Sequence, residues 1–212
     1  REEERVSVAI NADSIATWAM PALNGLARQG LSIEVITDDQ DFTHEWLREG
    51  QVLGCVTSLN QALRGCRMEA LGLMDYVAVG QADYVAQHMP QGLSAHQFAQ
   101  IPFIAFNRKD DMQREFVAQA FGLRRVTLKQ LFVPSSEGQV RAVLAGWGLS
   151  VLPYPLVQPL LERGELVNVV PHHRLPVALY WHCWNLQSDV LDSLSQALRE
   201  GAAGALRQVA SP

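Results

Sequence analysis

Val6, Val8 and Ile10 alternate with Ser7 and Ala9, and this two-residue period predicts a β-strand. Asn11-Ala12-Asp13-Ser14 then supplies turn and N-cap chemistry, and Ile15, Trp18, Ala22 and Leu26 recur at helical spacing. Pro21 lies within that spacing and predicts a kink; Gly30 ends the helix before a second alternating strand of Leu31, Ile33 and Val35. The turn Asp38-Asp39-Gln40-Asp41 predicts the cap of a short helix carrying Phe42, Trp46 and Leu47, closed by Gly50. The apolar run Val52 to Val56 reads as a fully buried strand. Strand, helix, strand, helix, strand in this order predicts a parallel sheet.

A second series follows: a strand Leu73 to Val79, a helical stretch around Ser94 to Gln100, a strand Ile101 to Phe106, a helix Asp111 to Phe121 and a strand near Val126 to Val133. After Pro134-Ser135-Ser136, a helix Glu137 to Ala145 buries Val140, Val143 and Leu144, is broken by Gly146 and Gly148, and leads into a strand Leu149 to Leu152. A strand Val177 to Trp184 and a long amphipathic helix Asp189 to Val209 complete the chain, so two α/β units are predicted.

Composition narrows the class of protein. With 48% hydrophobic residues and a net charge of −5, the chain has enough apolar surface for a packed core and too little charge for disorder. No apolar run approaches the roughly 18 residues of a membrane span. The opening Arg1-Glu2-Glu3-Glu4-Arg5 has no apolar segment behind it, so we expect no signal peptide and a true N-terminus further upstream. Cys55, Cys66 and Cys183 are odd in number and lack CxxC spacing, as expected of reduced thiols in a cytoplasmic protein. No basic cluster provides a footprint for nucleic-acid phosphates, so any DNA binding would belong to another segment.

The segment Val140-Arg141-Ala142-Val143-Leu144-Ala145-Gly146-Trp147-Gly148-Leu149-Ser150-Val151-Leu152-Pro153 resembles the helix-to-strand signature of the effector-binding domain of LysR-type transcriptional regulators. Leu161-Glu162-Arg163-Gly164-Glu165-Leu166-Val167 resembles a second landmark of that family. Leu47-Arg48-Glu49-Gly50-Gln51-Val52 resembles a third, with Leu53 where an aspartate often follows. Asn11 to Trp18, Phe106 to Met112 and Leu179-Tyr180-Trp181-His182 are similar to the subgroup that senses lysine and arginine.

The resemblance implies an α/β, periplasmic-binding-protein-like (type II) fold of two Rossmann-like subdomains with a central cleft. One subdomain would be discontinuous (1–75 plus 176–212) and the other inserted (76–175). It also implies a small effector, lysine or arginine, a homodimer or homotetramer, and DNA binding through an N-terminal winged helix-turn-helix absent from this chain. The helix after Asp13 and the strand Leu31 to Thr37 are the expected dimer contacts.

Candidate ligand residues lie at the carboxyl ends of strands, where open α/β sheets bind ligands. Asp13 and Ser14 would read the two charges of a zwitterion, or one of them is only an N-cap. Thr57 and Ser58 follow the buried strand Val52 to Val56. Asn107 and Asp110 follow Ile101 to Phe106, with Asp110-Asp111 either holding a cation or capping the next helix. Ser135, Ser136 and Glu137 form the corresponding turn of the second series, where Glu137 either faces ligand or favours the helix dipole. His172-His173 and His182-Cys183 are adjacent pairs that point to opposite faces of a strand, so no metal is expected. The five tryptophans are expected in the core or a dimer contact, with Trp18 beside the proposed cleft. No Gly-rich phosphate loop or nucleophile elbow is present, so no cofactor and no catalytic residue is assigned. An amino-acid carrier of the same fold is the alternative, and a small hydrolase or deaminase a third reading that no residue requires.

Overall fold

The computed structural model of the protein describes residues 5–37 and 43–209; the expected cap Asp38 to Asp41, Phe42 and the charged residues 1–4 lie outside that range. The chain divides into two compact units, Arg1–Met74 with Val177–Pro212, and Asp75–Pro176.

Unit 1 opens with β1 (Val6–Ile10), α1 (Ala12–Ser14), a π-helical turn Ile15–Ala19 and α2 (Met20–Arg28). Pro21 therefore sits in the first turn of α2 and does not kink a continuous α-helix. Proline has no N–H to give the carbonyl four residues earlier, and the widened turn before it absorbs that loss. β2 (Ile33–Ile36), α3 (Thr43–Arg48) and β3 (Gly54–Thr57) follow. β3 starts later than the apolar run suggests, at a glycine whose added Cβ would collide with the ring of Trp181. β4 (Cys66–Gln81) is a sixteen-residue strand that carries the chain from unit 1 into unit 2.

Unit 2 contains α4 (Ala82–His88), β5 (Phe103–Ala105), α5 (Met112–Phe121), β6 (Gln130–Phe132), α6 (Ser136–Leu144), β7 (Ser150–Pro153), α7 (Tyr154–Glu162) and β8 (Leu166–Asn168). The stretch 94–100 forms only a short 3-10 turn, Ala95–Gln97. β9 (Leu175–Trp184) returns the chain to unit 1, and α8 (Asp189–Ala205) ends it. α8 stops short of Val209 because Arg207 leaves the helix to exchange backbone hydrogen bonds with Leu73 at 2.8 and 3.0 Å.

In unit 1 the strand order is β2-β1-β3-β9, with β4 beyond β9. β1 is parallel to both β2 and β3, as the strand-helix-strand order predicts, and the returning β9 runs antiparallel to β3, so the sheet as a whole is mixed. Unit 2 is mixed as well: β5 and β6 are parallel, while β7 and β8 pair antiparallel with the second half of β4. A returning chain can enter a sheet in either direction, and the apolar runs that predicted these strands carry no information about direction.

Each unit has its own apolar cluster. In unit 1, Ala9, Leu47, Val52 and Cys55 pack beneath Trp46 and Trp184. In unit 2, Val77, Val79, Ile104, Val143, Leu152 and Val157 form the centre. Two buried polar contacts fix helices to sheets. Gln113 on α5 donates to the Val151 carbonyl at 3.2 Å and accepts the Val151 N–H at 2.7 Å. Trp181 Nε1–H donates to Ser195 Oγ, which donates on to the Leu191 carbonyl, both at 2.8 Å. Gln113→Leu would keep the volume but strand both buried Val151 groups. Chemical denaturation is expected to show a loss of about 2–4 kcal/mol, the scale of two buried unmade backbone hydrogen bonds.

Candidate functional site

In unit 1 the register sets Ile10 beside Val56 in parallel strands, so Asn11, Asp13 and Ser14 leave the sheet at the same end as Thr57 and Ser58. Asn11 takes the N-cap position, and Asp13 and Ser14 fall inside the first turn; neither is the cap. Asp13 is half-buried, and its carbonyl accepts Thr17 Oγ1–H at 2.6 Å. Asn11, Ser14 and Trp18 are buried, and Asn11 Oδ1, Ser14 Oγ and Trp18 Nε1 have no hydrogen-bond partner. Thr57 is buried and its Oγ1 accepts the Leu59 N–H at 3.4 Å, while Ser58 is exposed.

His182 supports this rim from beneath. A carbonyl can only accept, so the 2.7 Å contact to the Leu59 carbonyl places a proton on His182 Nε2, one residue beyond Ser58. Nδ1 is then a buried acceptor without a partner. Burial pushes the imidazole below its ordinary value of 6.5, His44 nearby acts in the same direction, and the Leu59 hydrogen bond opposes them.

In unit 2 the pairing of Ala105 with Phe132 brings the ends of β5 and β6 together. Both oxygens of Asp110 are engaged: one accepts the Phe106 N–H at 3.0 Å and the other the Met112 N–H at 2.9 Å, which is the capping alternative. Asp111 pairs with Arg114. Asn107 Oδ1 accepts the Lys109 N–H at 2.9 Å. Ser135 is the N-cap of α6, its Oγ accepting the Gly138 N–H at 3.0 Å; Ser136 is buried and Glu137 is exposed in the first turn. Gly148 holds a left-handed backbone where an added Cβ would strike the Pro102 carbonyl, so the signature glycine lets β7 approach β5 closely.

The other candidates have packing roles. His173 meets Phe116 and His172 meets Phe121 edge to face, and Cys55, Cys66 and Cys183 are free thiols, with burial pushing the Cys55 thiol up to about 12. Among the described residues no group of three His, Cys, Asp or Glu side chains could hold a metal ion, and no helix is long and apolar enough to cross a membrane. Sequence reasoning passed over Asn11 as a site residue and His182 as a support. The spacing of 11, 14 and 18 along one helical stripe was the available signal for the first, whereas the second depends on a contact between residues 182 and 59 that no local pattern encodes.

Comparison with known proteins bears on this arrangement. Residues 1–203 match the LysR substrate binding domain. The chain belongs to this family. It is 37% identical over 203 residues to the transcriptional regulator LysG of Mycobacterium tuberculosis, covering 96% of this chain and 66% of that protein. It thus spans just under two thirds of that curated relative. Among solved structures, the C-terminal domains of a LysR family protein from Agrobacterium tumefaciens superpose with a TM-score of 0.92 at 34% identity, covering 97% of this chain and 99% of that one. Full-length LysG of Corynebacterium glutamicum with bound effector Arg gives a TM-score of 0.85 at 30% identity, over 97% of this chain and 70% of that one. LysR regulatory domains have the type II periplasmic-binding-protein-like fold, and this LysR-family chain shares the expected α/β class.

Because burial depresses the imidazole of His182, the stability that the buried neutral ring contributes depends on pH. The unfolded chain takes up this proton more readily than the folded one, so the contribution is fully present above about pH 6.5 and is lost as the pH falls through the lower folded value. Denaturation of the wild type and His182→Gln at several pH values checks this: the stability gap between them is expected to narrow on acidification.

Proposed function

We propose that the chain is the ligand-sensing regulatory domain of a LysR-type transcriptional regulator and that its effector is a basic amino acid, arginine or lysine. The observation that carries this reading is the likeness, over 97% of the chain, to a LysG solved with arginine as its bound effector. In this reading the candidate ligand residues are Asp13, Ser14, Thr57 and Ser58 of unit 1 and Asn107, Asp110, Ser135, Ser136 and Glu137 of unit 2. Acidic groups and hydroxyls at strand ends suit a zwitterion with a cationic side chain. In this proposal Glu137 or Asp13 reads the cation, while the oxygens of Asp110 hold backbone N–H groups.

The whole protein then acts in the cytoplasm as a homodimer or higher oligomer, touching DNA through a segment outside this chain. Effector changes the regulator only through its different affinity for two arrangements of the dimer. LysG, named above, is a transcriptional regulator, and this reading assigns no catalytic group or cofactor.

Isothermal titration with arginine, lysine and norleucine tests the reading. Saturable binding of the two basic amino acids, with norleucine much weaker, is the expected result; no binding of either by the folded chain would overturn it. Asp13→Ala is expected to weaken binding by about 1.5–3 kcal/mol, the scale of a hydrogen bond to a charged group.

A further inference from the structure

Asn11, Ser14 and Trp18 share one stripe of the segment that follows β1, since residues three and four apart along a helix are neighbours. All three are almost wholly buried, with exposures of 2%, 0% and 3%. Each carries a polar atom without a hydrogen-bond partner: an amide oxygen, a hydroxyl and an indole N–H. Buried polar groups in folded proteins are nearly always hydrogen-bonded, and three consecutive exceptions on a single stripe call for a missing partner. The backbone there is also unusual, because Ile15–Ala19 winds as a π-helix, a form that recurs at functional sites.

The chemistry of the three atoms is complementary to an amino-acid head group. The Trp18 N–H can only donate, Ser14 can donate or accept, and Asn11 Oδ1 can only accept. A carboxylate takes two donors, and an ammonium needs an acceptor. Sulfate, which has no donor, would use the two donors but leave Asn11 Oδ1 unanswered. A hydrocarbon would leave all three unanswered.

We infer that Trp18, through its indole N–H, is a specificity-determining residue for the effector: with Ser14 it receives the α-carboxylate, while Asn11 Oδ1 receives the α-ammonium. This rests on the amino-acid reading above and deepens it, because it divides the ligand into a head held by the buried stripe and a cationic tail read by acidic groups elsewhere. The side chains, not the helix end, make the subsite. Trp18 also lies beside α8: a Cβ added at Gly201 would be 3.7 Å from Cε3 of its ring.

The test compares arginine with agmatine, which keeps the guanidinium and the amine but lacks the carboxylate, by titration against the wild type, Trp18→Phe and Ser14→Ala. The wild type is expected to prefer arginine by about tenfold or more, the scale of hydrogen bonds to a charged group. Trp18→Phe should lower arginine affinity towards that of agmatine and leave agmatine binding unchanged, and Ser14→Ala should do the same more weakly. In the wild type, the indole N–H resonance that Trp18→Phe removes should move on adding arginine and stay in place with agmatine. A folded Trp18→Phe that keeps the wild-type preference would overturn the assignment. So would equal weakening of both ligands, which marks a purely structural or water-filled stripe. If Trp18→Phe does not fold, the indole resonance, identified by selective labelling in the wild type, decides between the same two results. A wild type that binds neither arginine nor lysine overturns the effector reading and this inference together, whereas wild-type binding with an unaffected Trp18→Phe sinks the inference alone.

Discussion

The parallel pairing of β1 with β3 is the constraint on which unit 1 of the candidate site depends. Because Ile10 and Val56 are neighbours in register, the residues that follow each strand must emerge side by side. β9 secures that pairing from the other flank of β3, and His182 on β9 reaches past the strand to hold the Leu59 carbonyl. One sheet edge, one imidazole and one register thus determine where Asn11, Ser14 and Thr57 can be. Unit 2 repeats the device with β5 and β6, where the buried amide of Gln113 ties the covering helix to the neighbouring strand.

The local pattern was a good guide to elements whose apolar residues keep a steady period. β1, α5, α6 and β7 stand close to where alternation and helical spacing put them. The failures have physical causes. α7 went unnoticed because Pro155 and Pro159 look like breakers; Pro155 occupies the first turn, where a missing N–H costs little. The first half of β4 hid because Cys66-Arg67-Met68-Glu69-Ala70 is mostly half-buried and has no clean two-residue alternation. The direction of the returning strand β9 was also invisible, since a buried strand has the same composition whichever way it runs.

At the candidate site, the sequence left open which residues cap their helices, and the folded chain decides that point. A cap at Asp13 or Ser14 was the alternative to ligand binding, but the N-cap position falls to Asn11, and both residues lie in the helix with the serine buried. Asp110 takes the capping alternative by accepting backbone N–H groups, and Ser135 caps α6. Family resemblance supplied the class of ligand, which no count of charges or spacing of carboxylates could have supplied. Individual roles depend on burial and on partners distant in sequence, and those appear only once the chain is folded.

The division of the chain also orders its folding. Unit 2 is one uninterrupted stretch, Asp75–Pro176, and all of its strands can pair once it has been synthesised. Unit 1 cannot finish its sheet, because β9 stands between β3 and β4 and is made only after the whole of unit 2. Until then the flank of β3 is an open edge, the kind of surface that recruits other strands. A ribosome-bound chain therefore carries its later-encoded unit complete while its first-encoded one waits, and the vulnerable interval in its biogenesis lasts as long as the inserted unit takes to emerge.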